Sequence, residues 1–176
     1  MKQWRKCEDG FTMVEMIITV AIAAVLMGAT IATFGYISSG NARRSAARFD
    51  SKLNTAQTET MMQKEPTYLY LFKDNGVKVV LSANDAENLT SLKKFDNPTE
   101  VGGARVDVIA KKSGGSQELD DSGFIRIAFN KATGAYRYAK FDGDADTEFI
   151  SEINFSGKEN YKVTLVQLTG KHVVSK

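Results

Sequence analysis

The chain contains very few of the residues that build disulfides, metal sites and catalytic dyads. Its 176 residues contain one cysteine, one histidine and two prolines. The single cysteine, Cys7, excludes an internal disulfide and does not suffice for a structural zinc site. The single histidine, His172, has no second histidine or neighbouring cysteine with which to form a dyad or a His-rich metal site. We therefore interpret His172 as a surface residue of the last strand.

An excess of charge of one sign is also lacking. The chain has 23 basic and 21 acidic residues, interleaved along its length, and a formal net charge of +2. Such a balance does not predict nucleic-acid binding, which usually shows a basic stripe. Two glycine-rich stretches, 102–105 and 113–116, lack the lysine and the spacing of a phosphate-binding loop. Because the sequence shows no recognisable set of catalytic residues, it predicts a protein that is not an enzyme.

Charged residues are missing altogether between Met16 and Ile37. Roughly 20 apolar residues cross a bilayer, so this run predicts a transmembrane helix. A carboxylate, Glu15, stands at the head of the run, although a charged side chain inside a membrane segment costs roughly 2.5–3.5 kcal/mol on insertion scales. Basic residues flank both ends of the run: Lys2, Arg5 and Lys6 before it, and Arg43, Arg44 and Arg48 beyond it. The neutral stretch Ser38–Ala42 separates the second group from the run, so the first group sets the orientation and favours a cytoplasmic N-terminus.

The stretch G-F-T-M-V-E-M, Gly10 to Met16, resembles the prepilin processing site of type IV pilins and type II secretion pseudopilins. The resemblance implies that residues 1–10 are a leader, which is cut just after Gly10. It implies that Phe11 is the mature, N-methylated N-terminus. It also implies that Glu15 is the family glutamate, which offsets the α-amine of an adjacent subunit in a filament and sets the axial register.

Two other interpretations of the N-terminal segment stay open at this point. One is a plain, uncleaved membrane anchor. The other is an ordinary secretory signal, but its apolar region usually has 7–15 residues, and the run here is longer and ends without a clean A-x-A site.

Beyond the apolar run, the helical pattern continues on one face. Small and apolar residues recur at spacings of four, three, four, three and four, as on one face of a helix: Ala42, Ala46, Phe49, Leu53, Ala56 and Thr60. Pro66 must end the helix nearby. We therefore predict one helix from Phe11 to about Met62, with a transmembrane half at 11–37 and an amphipathic half at 38–63 that covers a sheet. A coiled-coil seam is the alternative.

The remaining residues, 64–176, predict a β-rich globular head. Alternating apolar residues and turn signals mark strands at 67–72, 77–82, 105–110, 124–130, 135–141, 161–168 and 171–174. Ser82 and Asp85 predict the cap of a short helix that runs to about Lys93, and 112–123 is predicted to be a loop. The fold class is thus α+β, a long N-terminal helix packed on an antiparallel β-sheet. The resemblance implies that this is the pilin fold, and the terminal strand–Thr–Gly–strand pattern is similar to that of pseudopilins.

An acidic stretch, F-D-G-D-A-D-T-E, is a candidate cation site. Calcium takes 6–8 oxygen ligands, and four carboxylates are available here: Asp142, Asp144, Asp146 and Glu148. The EF-hand template fails, because its sixth position is Thr147 and its twelfth is Ile153. A solvated acidic turn is the alternative, and no other cofactor is predicted.

These observations, with the resemblance, predict a structural subunit of a type IV filament system: a pilin, minor pilin or pseudopilin. The resemblance implies other pilin subunits, a prepilin peptidase, an assembly platform and its ATPase as partners. It implies a single-pass protein of the plasma membrane that later enters a cell-surface filament, in a pilus, secretion or competence system. One alternative is a membrane-anchored binding protein, such as an adhesin or a DNA-uptake subunit, and only a competence pilin would bind nucleic acid. A surface enzyme with a signal anchor is the other.

Overall fold

The computed structural model describes residues 13–86, 88–94, 98–145 and 147–176, and for 27–40 it describes the backbone alone. The chain divides into two compact units, Met1–Ile37 and Ser38–Lys176. The second unit, called the head below, contains the β-strands and the C-terminal part of the first helix.

Helix α1 runs from Met13 to Met62 over 50 residues, which confirms the predicted helix for the described part of the chain. Its apolar face in the head is the predicted one: Ala42, Ala46, Phe49, Leu53, Ala56 and Thr60 have no exposed surface. Thr60 and Thr67 join the end of the helix to the first strand, because the Thr60 hydroxyl accepts the Thr67 N–H and donates to the Thr67 carbonyl oxygen, both at 3.2 Å.

The head contains ten strands and one short helix among the described residues. In chain order they are β1 (Tyr68–Lys73), β2 (Val77–Ser82), α2 (Leu89–Lys93), β3 (Thr99–Gly102), β4 (Asp107–Lys112), β5 (Gly115–Glu118), β6 (Phe124–Phe129), β7 (Tyr136–Phe141), β8 (Ile150–Ser156), β9 (Tyr161–Val166) and β10 (Lys171–Ser175). Six of the predicted strands are confirmed, and they form the three hairpins β1–β2, β6–β7 and β9–β10.

The strands form two five-stranded sheets rather than the one sheet predicted from the sequence. The first has the order β3-β2-β1-β6-β7 and the second β10-β9-β8-β4-β5, and all neighbouring strands are antiparallel. Both sheets and α1 contribute to one apolar core. At its centre, the rings of Phe49 on α1 and Phe155 on β8 lie 5.5 Å apart. The helix thus holds the two sheets together.

The sequence missed three strands because their patterns are weak. The four residues of β5 are all exposed, so they show no apolar alternation. Strand β8 has an irregular start, where Lys111 of β4 pairs with Glu152 but Lys112 pairs with Ile150. The extra residue in β8 breaks its two-residue period. Strand β3 has only four residues, two of them glycine or threonine.

The predicted helix cap at Ser82 is wrong. Asn88 caps α2, and its side-chain oxygen accepts the Ser91 N–H at 2.9 Å. Ser82 ends β2 instead, and its hydroxyl donates to the Asn84 carbonyl oxygen at 2.8 Å. Serine and asparagine are both good N-caps, so the sequence did not distinguish the two positions.

Candidate functional site

The predicted processing residues Gly10 and Phe11 lie outside the described residues. The predicted assembly residue Glu15 lies in the first turn of α1, and its side chain is exposed. A helix N-terminus carries a partial positive charge, which favours a carboxylate in the first turn. This partial charge therefore offsets part of the free-energy cost of placing the Glu15 carboxylate in an apolar segment.

Around Glu15, the first turns of α1 expose large apolar side chains. Those more than half exposed are Met13, Val14, Met16, Ile17, Ile18, Val20, Ile22, Val25 and Leu26. Such an all-round apolar surface is typical of a helix that packs against other apolar surfaces. Within the described residues, however, no helix combines the length and the apolarity that a membrane crossing needs.

Gln57, on the head part of α1, joins the helix to two turns. Its side-chain amide donates to the Gly134 carbonyl oxygen at 2.7 Å, in the β6–β7 turn. It also donates to the Gly170 carbonyl oxygen at 3.3 Å, in the β9–β10 turn. Since β6–β7 belongs to the first sheet and β9–β10 to the second, one side chain fixes the helix to both. Sequence reasoning missed this role, because a glutamine on a helix carries no signal for a partner more than 70 residues away.

The acidic turn between β7 and β8 surrounds a lysine. Lys112 Nζ, at the end of β4, lies 2.9 and 3.0 Å from the two carboxylate oxygens of Asp144. It lies 2.8 Å from Glu148 Oε2. The Glu148 contact, followed by the Asp144 contact, raises the pKa of Lys112 above its usual value. The Lys112 ammonium group therefore already pairs with two of the carboxylates proposed for calcium.

The other two carboxylates of the calcium prediction do not join this pair. Asp142 Oδ1 lies 4.0 Å from the Arg126 guanidinium, on the first sheet, and Asp146 lies outside the described residues. The part of the chain that the structure describes contains no group of three or more acidic, histidine or cysteine side chains suited to a metal ion. Calcium binding stays a prediction. The contact of Lys112 with the acidic turn was missed, because Lys112 lies 32 residues from Asp144 in the sequence.

The single histidine is nearly buried, which corrects its interpretation as a surface residue. The His172 side chain is 5% exposed. Its Nδ1 lies 3.1 Å from the Tyr136 hydroxyl and 3.2 Å from the Gly170 carbonyl oxygen, and its Nε2 lies 3.8 Å from Asp50 Oδ1 on α1. Burial, and then the Asp50 charge, raises the pKa of the Tyr136 hydroxyl. His172 thus connects β10, β7 and α1, and sequence could not show this because β10 is short and lies at a sheet edge.

The outer face of the first sheet carries aromatic residues that contact the segment after β2. The Tyr70 hydroxyl donates to Asp85 Oδ1 and accepts the Ala86 N–H, both at 2.7 Å. Arg126 donates to the Ala86 carbonyl oxygen at 3.0 Å and lies over the Tyr70 ring. Burial raises the pKa of the neighbouring Tyr138 to about 12. These contacts hold the segment that follows β2 against the sheet.

Comparison with known proteins locates the functional signal in the N-terminal segment. Residues 5–31 match the prokaryotic N-terminal methylation motif. The match includes Gly10, Phe11 and Glu15. The chain therefore carries the class III signal peptide of type IV pilin-like and pseudopilin-like proteins. Neither a curated protein nor a solved structure matches the chain.

Proposed function

We propose that this protein is a structural subunit of a type IV filament system, and that it polymerises through its N-terminal helix after cleavage between Gly10 and Phe11. The observation that carries the proposal is the methylation motif at residues 5–31. The described helix begins at Met13, within that motif, and exposes apolar side chains. The protein acts by assembly and not by catalysis.

The proposed chemistry follows from the charges that cleavage creates. Cutting after Gly10 gives Phe11 a positive α-amine, four residues before Glu15. When helices bundle without water between them, a buried carboxylate needs a cation. The α-amine of an adjacent subunit supplies that cation. One such pair per subunit sets the axial register, and apolar packing along the helices supplies most of the contact.

Before assembly, residues 11–37 anchor the protein in the plasma membrane with residues 1–10 on the cytoplasmic side. The basic leader residues favour this orientation, and the apolar run has the length of a span. A prepilin peptidase, an assembly platform with its ATPase, and other pilin subunits are the proposed partners. The head, with the pilin fold, then lies at the surface of the filament.

The substitution Glu15→Gln tests the assembly role separately from processing. It keeps the side-chain size and removes only the charge. In cells that contain the peptidase and the assembly machinery, we expect the variant to be cleaved normally but to be depleted from sheared filaments. Glu65→Gln, which removes an exposed carboxylate from the head, is the matched control and should assemble normally. Normal assembly of Glu15→Gln would contradict the proposed charge pair.

A further inference from the structure

The head begins with a group of arginines that have no acidic partner among the described residues. Residues 41–52 contain four basic residues and one acidic residue, Asp50. Arg43, Arg44 and Arg48 are all exposed. Among the described residues, no carboxylate oxygen lies within 4.0 Å of any of these three guanidinium groups. By contrast, other cations of the head are paired, including Lys73, Lys78, Lys112 and Arg126.

Two of these arginines line one cavity. Arg44 and Arg48 are one helical turn apart, and the open cavity beside them has a volume of about 230 Å³. Its other lining residues are Asn41, Ser45, Glu100, Val101, Gly102 and Gly103. The cavity therefore lies between the start of the head helix and the end of β3.

Small residues make this cavity possible. A Cβ atom at Gly102 would lie 2.7 Å from the Ser45 hydroxyl oxygen, so the strand approaches the helix closely only because this residue is glycine. A Cβ atom at Gly103 would meet nothing within 4 Å, so the backbone there stays open to a ligand. Glu100 is the one acidic lining residue. Its Oε1 lies near Gly76 of the β1–β2 turn, 3.6 Å from the Cβ position there, and forms no ion pair with the two arginines.

The neighbouring guanidinium groups of Arg44 and Arg48 favour a bound anion. Like charges four residues apart on a helix destabilise it, and an anion between Arg44 and Arg48 would remove that cost. Guanidinium groups bind phosphate through paired, charge-assisted hydrogen bonds. We propose that Arg44, Arg48 and the Gly102–Gly103 backbone bind the phosphate of an anionic phospholipid headgroup. The choice of a lipid rests on the proposed membrane anchoring, because Arg44 follows the apolar run by only seven residues.

Lipid retention by the full chain tests this site. The protein is purified in a zwitterionic detergent with equal amounts of phosphatidylglycerol and phosphatidylcholine, and the bound lipid is measured by native mass spectrometry. We expect the wild type to retain phosphatidylglycerol preferentially. Arg44→Gln with Arg48→Gln should weaken that retention about 30-fold, since each arginine near an anionic lipid surface contributes about 1 kcal/mol.

The matched control is Lys64→Gln with Lys131→Gln, which removes two exposed charges elsewhere in the head and should retain lipid like the wild type. Equal retention of the two lipids by the wild type would overturn the proposal, as would full retention by the arginine variant. Displacement of the lipid by inorganic phosphate would overturn the lipid assignment in favour of a free phosphate. None of these results depends on cleavage at Gly10, so the failure of this site and the failure of the proposed function are distinguishable.

Discussion

The Gln57 side-chain amide donates to the carbonyl oxygen of Gly134 at 2.7 Å, although 77 residues separate them. The same amide reaches the Gly170 carbonyl oxygen at 3.3 Å. The two glycines lie in turns of different sheets, so this contact connects the helix to both halves of the head. The head's stability should therefore depend on a polar residue at this position as well as on the apolar face.

Gln57→Ala should lower the free energy of unfolding by about 1–3 kcal/mol, because it leaves the Gly134 carbonyl oxygen without its side-chain donor and removes one of two side-chain contacts of the Gly170 carbonyl oxygen. Urea denaturation followed by circular dichroism measures the change. Gln63→Ala is the matched control, since Gln63 is exposed just beyond α1 and should change stability by less than about 0.5 kcal/mol. Equal effects of the two substitutions would contradict the role of Gln57.

Gly170→Ala should be more costly than the same change at Gly143. Both glycines have a positive φ, +68° at Gly170 and +84° at Gly143. Alanine is disfavoured in this conformation, so either substitution should lower the free energy of unfolding by about 1–2 kcal/mol. At Gly170 a Cβ atom would also collide with the Gly134 carbonyl oxygen, whereas at Gly143 it meets nothing within 4 Å. We expect a loss of about 2–5 kcal/mol at Gly170. Similar losses at both positions, measured by urea denaturation, would show that the two turns do not pack as described.

The sequence predicted the parts of the fold that depend on local periodicity. The buried face of α1, including Phe49 and Leu53, follows the helical repeat, and the three hairpins follow alternation and turn residues. The division into two sheets was missed, because it depends on the pairing of β4 with β8, whose paired residues are 38 to 49 positions apart in the sequence. The candidate sites show the same difference between local and long-range features. The motif around Gly10 is contiguous and could be recognised in the sequence. The contact between Lys112 and Asp144 could not, because the fold alone brings these residues together.

Phe49→Ala should destabilise the head by about 3–5 kcal/mol, the usual cost of removing a buried phenylalanine. Phe49 is fully buried and contacts the Phe155 ring of the second sheet. Met62→Ala is the control on the same helix, because Met62 is 80% exposed. Thermal unfolding should show a large fall in Tm for the first variant and almost none for the second. A small effect of Phe49→Ala would mean that α1 does not hold the sheets together.

Lys112 should contribute stability that is lost in strong alkali. Its pKa is raised above the usual 10.5 by Glu148 and Asp144. A raised pKa means that the contribution is complete below pH 10.5 and falls as the pH rises through the folded-state value. The difference in Tm between the wild type and Lys112→Gln should therefore be constant from pH 7 to about pH 10 and shrink above it. Lys64→Gln, which removes an exposed lysine, should show no such change.

Calcium should have little effect on the wild-type head, because the Lys112 ammonium already occupies the space between Asp144 and Glu148 and pairs with both. Thermal unfolding with calcium, with magnesium and with a chelator tests this expectation. Lys112→Gln leaves the carboxylates without their cation and should show the larger stabilisation by calcium. Stabilisation of the wild type by calcium, but not by magnesium, would instead support the acidic turn as a calcium site.

The most direct test of the central claim is the N-terminus and the intact mass of the protein recovered from cells that contain a prepilin peptidase. The account predicts a chain that begins at Phe11 and is heavier by one methyl group. A chain that keeps residues 1–10 would contradict it, and so would one that begins near Ala32, as after an ordinary secretory signal. In either of those cases Glu15 would be only a carboxylate at the start of a helix.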